Sequence, residues 1–162
     1  MNNTDFIDQY FAAATLGAWM FIVVAAASLL VAGALLWRRG ALLGMAWPLL
    51  AIAAVQLAIG VTVLQRSDAQ ALQSQQRHAL QPLSFRLVET QRMQGVIGRI
   101  ELARRAAIGL LAIGMALVVL LRRRRFWVAF GLGLVLQAGA VLVLDHFALD
   151  RARHYLTAVR DS

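Results

Sequence analysis

Long apolar blocks alternate with short polar segments along this chain. Apolar residues dominate positions 11–37, 41–64, 106–121 and 126–147. At ~1.5 Å per helical residue, three of these blocks can cross the ~30 Å hydrocarbon core of a bilayer. The third block is short, and we expect Arg105 and Arg122 to extend their side chains from its ends to the interface. The pattern predicts an all-α polytopic membrane protein, with four transmembrane helices in a single membrane domain over residues 1–162.

The polar segment between the second and third blocks has a helical pattern. No glycine or proline occurs between Gly60 and Pro82, and the segment is rich in glutamine and in good helix formers. Beyond a turn predicted at Gln81–Pro82, apolar residues recur at helical spacing. We therefore expect the second and third helices to extend into an extramembrane helical hairpin over residues 65–105. The mixed pattern of residues 148–162 predicts a short amphipathic helix at the C-terminus.

Two arginine clusters mark the ends of apolar blocks. Arginines in short loops are retained on the cytoplasmic side of a membrane. Both clusters fall in loops that join consecutive blocks, so both lie on the same side. We therefore predict a bacterial inner-membrane protein with both termini and the hairpin in the periplasm, and we expect no cleaved signal peptide because the N-terminus is acidic. The topology residues are Arg38, Arg39, Arg122, Arg123, Arg124 and Arg125.

Composition and charge exclude several kinds of chemistry and binding for this chain. Of the 162 residues, 60% are hydrophobic, and none is cysteine. The absence of cysteine excludes disulfides, thiol redox chemistry and thiolate metal sites. The formal net charge is +8, but the two arginine clusters account for much of it as topology signals, so we predict no nucleic-acid binding.

The two pairs of apolar blocks are similar to each other. The first contains ALLWRRG followed by VQLAIGVTVLQR, and the second contains VVLLRRRRF followed by LQAGAVLVLDH. Each pair has an apolar helix, an arginine turn and a returning helix with one glutamine near its middle. A two-plus-two duplication and independent convergence on a common membrane pattern both explain this similarity.

Gln56 and Gln137 are polar residues near the middle of apolar blocks. A buried amide in hydrocarbon needs hydrogen-bond partners. One explanation is a hydrogen bond between the second and fourth helices. The other is a polar point on a substrate or ion path.

His146, Asp150 and His154 follow one another at a spacing of four, so they share one face of a helix. Adjacent pairs could supply two ligands to a divalent metal, whereas His146 and His154 are ~12 Å apart along the axis and cannot share one ion. The alternative is an interfacial helix in which Asp150 bonds His154. The sequence has no serine nucleophile beside Asp145-His146 and no phosphate-binding loop, so we predict no catalytic residues and no cofactor.

A composite pattern runs through the second half of the chain. It consists of FWVAFGLGLVLQ at 126–137, DHFA at 145–148, an arginine- and tyrosine-containing tail at 151–155, and the arm at 87–101. In this pattern the chain resembles small four-helix bacterial inner-membrane proteins of uncharacterised function. The resemblance implies the four-helix architecture and implies no activity.

These features predict a membrane accessory or partner-binding protein, of immunity or assembly type, without catalytic activity. Its expected partners are membrane lipid and either another protein or a second copy of the chain. The hairpin residues expected to meet a protein partner are Gln73, Gln76, Arg77, Arg86, Glu89 and Arg92. The alternative is a small oligomeric transporter or channel with Gln56 and Gln137 on its path, and the third reading is a metal-dependent membrane enzyme.

Overall fold

The structure, a computed structural model, describes residues 5–38, 40–80 and 82–161, except for the side chains of 5, 6, 68, 77–79, 82–85 and 161. These residues form four α-helices: α1 (Asp5–Arg38), α2 (Leu43–Leu80), α3 (Pro82–Leu120) and α4 (Arg125–Asp161). The described residues contain no strand, so the all-α prediction is confirmed. Each helix contains a segment that is long and apolar enough to cross a membrane.

The four helices are longer than a bilayer requires. They have 34, 38, 39 and 37 residues, and at ~1.5 Å per residue they span ~51–59 Å, against ~30 Å of hydrocarbon. Residues 148–162 were predicted as a short helix of their own. Residues 148–161 instead continue α4 without a break, and residue 162 lies outside the described residues. The turn predicted at Gln81–Pro82 centres on position 81, which lies outside the described residues.

The bundle has two distinct ends. We call the end where α2 stops at Leu80 and α3 starts at Pro82 the junction end. The opposite end, which holds the α1–α2 and α3–α4 connections, is called the arginine end.

All four helices pack together at the junction end. Gln75 of α2 donates a hydrogen bond to Asp8 near the start of α1. Met93 of α3 is fully buried between α1, α2 and α4. The apolar core at this end consists of Ile7, Phe11, Met93, Ala152, Tyr155 and Val159. The segments 65–80 and 82–105 therefore do not form an isolated two-helix hairpin, because the first turns of α1 and the last turns of α4 cover the face that carries Met93.

α4 is the central helix of the bundle. It packs against α1, α2 and α3, whereas α3 packs mainly against α4 and α1 mainly against α2. Residues two apart on a helix point in nearly opposite directions, so Gly131 faces α3 and Gly133 faces α2. A Cβ atom added to Gly131 would lie 2.6 Å from the carbonyl oxygen of Gly114, and one added to Gly133 would lie 2.9 Å from that of Met45. The two glycines thus let α4 lie in close contact with both neighbours.

Candidate functional site

Gln56, Gln137 and Ser28 form a hydrogen-bonded group, here called the amide cluster, in the interior of the bundle. Gln137 Nε2 donates to Gln56 Oε1 at 3.3 Å and to Ser28 Oγ at 3.1 Å. Ser28 Oγ donates in turn to the backbone carbonyl of Val24, 2.8 Å away. Each glutamine is 1% exposed. The cluster joins α1, α2 and α4, and the contribution of Ser28 from α1 was not predicted from the sequence.

One polar atom of the amide cluster has no partner. Gln56 Nε2 is buried and makes no hydrogen bond to any described residue. An unpaired buried donor of this kind costs ~1–3 kcal/mol. Gln56 and Gln137, which look equivalent in the sequence, are therefore not equivalent in the structure.

The geometry of the amide cluster favours helix association over transport. Both glutamine side chains are enclosed within one chain and bond to each other, so neither lies on a surface that several copies could share around a pore. A substrate or ion path through Gln56 and Gln137 stays a prediction.

A second polar network connects three helices at the junction end. Glu89 of α3 is 5% exposed. It accepts hydrogen bonds from Tyr155 Oη of α4 at 2.9 Å and from Arg92 Nε at 3.0 Å. Arg92 Nη1 donates to Gln70 Oε1 of α2 at 3.3 Å. A buried carboxylate is costly unless it is paired, and here the guanidinium one turn away and the phenol of α4 compensate for the burial.

Aromatic rings enclose this network. Tyr10 of α1 stacks on Tyr155 with ring centroids 4.2 Å apart. The guanidinium of Arg92 lies 5.9 Å from the ring centroid of Phe11, within the range of a cation–π contact. Tyr155 lies beyond the predicted span 126–147, and burial together with the Glu89 carboxylate raises the pKa of its phenol. The phenol therefore remains protonated and continues to donate to Glu89.

The residues predicted to contact a partner divide into two groups. Glu89 and Arg92 point into the bundle and form the junction-end network, so in this conformation they hold helices together. Gln73 and Gln76 are exposed, and Arg86 is partly exposed. The side chain of Arg77 lies outside the described residues.

Exposed apolar side chains accompany these polar residues at the junction end. Leu80 and Leu87 lie on either side of the junction and are 80% and 77% exposed. Leu72 and Val88 are also exposed. The sequence pattern does not single out these four residues, because their exposure depends on how each helix is rotated about its axis.

The predicted metal ligands only partly come together. His154 Nε2 lies 3.6 Å from Asp150 Oδ1, and both side chains are exposed. They line the edge of a groove of about 230 Å³ between α1 and α4. Among the described residues, no group of three or more His, Asp or Glu side chains is placed to hold a metal ion. His146 lies elsewhere, in the groove described next, so Asp150 and His154 offer two ligands at most.

Asp145 and His146 point in different directions from α4. The Asp145 side chain is 6% exposed, and its Oδ2 atom has no hydrogen-bond partner among the described residues. His146 is exposed and lines an open groove of about 350 Å³, here called the α3–α4 groove. The groove is lined by Arg104, Ile108, Leu142, Val143, His146 and Phe147. No pattern in the sequence indicates the groove, because it depends on the packing of α3 against α4.

The topology arginines lie at the arginine end. Arg38 ends α1, and the second cluster lies at and beside the connection between α3 and α4. The described members of both clusters are exposed: Arg38, Arg122, Arg123, Arg124 and Arg125. Arg39 lies outside the described residues.

Taken together, the fold is a helical bundle with four apolar helices, an arrangement that indicates a multi-pass membrane protein. Comparison with protein-family models, with curated proteins and with solved structures gives no match to this chain. The resemblance to small four-helix inner-membrane proteins therefore rests on the sequence pattern alone.

Proposed function

We propose that this chain is a multi-pass protein of a bacterial inner membrane that binds a protein partner through its junction end and has no catalytic activity of its own. One observation carries the proposal: large apolar side chains are exposed at an end of the bundle that is otherwise polar. Leu72, Leu80 and Leu87 are 60%, 80% and 77% exposed. Exposed apolar side chains that are grouped and bordered by polar residues are typical of protein-binding surfaces.

The proposal depends on where the membrane lies. The helices exceed the thickness of the hydrocarbon core by ~20 Å or more. The polar segment 65–105 cannot be the part in hydrocarbon, so the excess length projects at the junction end. The arginine end then faces the cytoplasm, and both termini and the junction end face the periplasm.

One face of α2 illustrates the proposed surface. Leu72, Gln76 and Leu80 follow at a spacing of four and so share one face of the helix, with Gln73 beside them. A partner would bury the two leucines and form hydrogen bonds with the amides at the edge, the usual division between the core and the rim of an interface. Both an immunity role and an assembly role can use such a surface.

Affinity purification from native membranes tests the partner surface. A Leu72→Gln, Leu80→Gln, Leu87→Gln variant should retain less than about a tenth of the bound protein, because truncated apolar anchors often cost ~2 kcal/mol or more of binding energy. The matched control carries Thr157→Ala and Arg160→Gln, at exposed positions of α4 near the same end. Equal recovery from the triple variant and the control would contradict the proposal. Unchanged thermal unfolding of the triple variant excludes misfolding as the cause of a loss.

Cysteine labelling tests the orientation, and the chain is suited to it because it contains no cysteine. Single variants Gln73→Cys and Arg123→Cys place a thiol at exposed positions of opposite ends. In cells with a permeabilised outer membrane, an impermeant maleimide should label position 73 and spare position 123. The reverse pattern would place the junction end in the cytoplasm and refute the proposed orientation.

A further inference from the structure

The α3–α4 groove has no part in the proposed partner surface, and its chemistry changes along its length. Arg104 and His146 lie towards the junction end, while Ile108 and Leu142 lie one helical turn, ~5–6 Å, towards the arginine end. The direction follows from the antiparallel course of α3 and α4. The two polar side chains of the groove thus lie where it approaches the junction end, beside Phe147, and the groove is apolar where it continues towards the middle of the bundle.

The cation in this groove is not neutralised by an ion pair. Among the described residues, Arg104 has no carboxylate within ion-pairing distance. His146 contacts the edge of the Phe147 ring and can donate a hydrogen bond from its imidazole in either protonation state. Asp145, the neighbouring acid on α4, is buried and does not line the groove, and its carboxylate interacts with Arg104 electrostatically without forming an ion pair. The lining therefore offers two donors for an anion, and no carboxylate is among the side chains that line the groove.

We propose that the α3–α4 groove binds one anionic glycerophospholipid, with the headgroup phosphate against Arg104 and His146 and an acyl chain along Ile108, Leu142 and Val143. The order of groups along the groove matches the order in one leaflet of a bilayer, where the phosphate lies outside and the chain points inwards. Basic pockets between membrane helices on the cytoplasmic side bind anionic headgroups, and the proposed site uses the same chemistry on the periplasmic side. The site rests on the membrane placement given above and is independent of whether a protein partner binds.

Native mass spectrometry of the purified full chain in detergent micelles tests the headgroup. Titration with dioleoylphosphatidylglycerol should show one bound lipid, at least about fivefold tighter than dioleoylphosphatidylcholine, and Arg104→Gln should remove this preference. Arg105→Gln is the matched control, since Arg105 is the exposed neighbour on α3 and does not line the groove. Equal losses in the two variants, or equal affinity for the two lipids, would overturn the proposal.

A matched pair of variants tests the apolar part of the site. Ile108 and Ile113 of α3 are 50% and 54% exposed, and of the two only Ile108 lines the groove. Ile108→Trp should fill the groove and weaken phosphatidylglycerol binding at least about fivefold, while Ile113→Trp should leave binding unchanged. Glycerol phosphate, added as a free headgroup at equal concentration, should fail to displace the lipid. Displacement by glycerol phosphate, or full binding to the Ile108→Trp variant, would show that the groove does not hold an acyl chain and would refute the assignment.

Discussion

The amide cluster predicts that two glutamines of similar sequence context respond differently to the same substitution. Gln137→Leu removes the hydrogen bonds to Ser28 and Gln56 and leaves both polar atoms of the Gln56 amide unpaired. Two hydrogen bonds between helices at ~0.6 kcal/mol each, together with the newly unpaired oxygen, give a loss of ~2 kcal/mol.

Gln56→Leu should have a much smaller effect, or the opposite one. It removes one hydrogen bond of 3.3 Å, while Gln137 keeps its bond to Ser28. It also removes the buried Nε2 atom that has no partner, which relieves a cost of ~1–3 kcal/mol. We expect the free energy of unfolding to remain unchanged or to rise by ~1 kcal/mol. The double variant should then be more stable than Gln137→Leu alone, because it contains no orphaned amide.

Equilibrium unfolding in mixed micelles, followed by circular dichroism during titration with a denaturing detergent, measures all three variants. Ser28→Ala serves as the reference for the loss of a single hydrogen bond between helices and should lower the free energy of unfolding by ~0.6 kcal/mol. If Gln56→Leu destabilises the protein as much as Gln137→Leu, the asymmetry inferred from the unpaired Nε2 atom is wrong. If the two effects simply add, the hydrogen bond between the two amides is refuted.

Two further predictions concern the close contacts of α4 and the junction-end network. Gly133→Ala should lower the free energy of unfolding by ~1–3 kcal/mol, since the added Cβ would lie 2.7 Å from Pro48 Cγ. Gly139→Ala should raise the free energy of unfolding by ~0.5–1 kcal/mol through helix propensity, because no atom lies within 4 Å of the added Cβ. Thermal unfolding in detergent compares the two variants, and effects of the same sign would contradict the packing inferred at Gly133. Tyr155→Phe should cost ~1.5–3 kcal/mol by removing the buried hydrogen bond to Glu89. Both variants keep the stacked rings, but only Tyr155 donates a hydrogen bond to Glu89, so Tyr10→Phe should cost less in the same assay. The reverse order would refute the role of the Tyr155 phenol.

Much of the architecture followed from local patterns in the sequence. Apolar blocks and helix-compatible polar segments predicted helices in the observed places, and the arginine clusters occur where pairs of helices are joined. The hydrogen bond between Gln56 and Gln137 was one of the two sequence-based explanations, because both residues lie near the middle of spans that start at the arginine end, and so lie at similar depth. Such properties depend on the order of residues along one helix and on the thickness of a bilayer, so a sequence specifies them directly.

The rotation of each helix about its axis and the choice of its neighbours were decided only in the tertiary structure. Helices that are apolar on nearly every side carry little information about which side faces a neighbour, so the burial of Asp145 and the exposure of His146 could not be distinguished. The central position of α4 depends on close contacts at Gly131 and Gly133 that involve residues of two other helices. Likewise, Glu89 was predicted to face a partner, yet it is buried in the bundle, where Tyr155 of α4 donates a hydrogen bond to its carboxylate. The sequence determined where helices form and how deep their polar residues lie, while the packing of side chains from distant parts of the chain determined which of those residues meet.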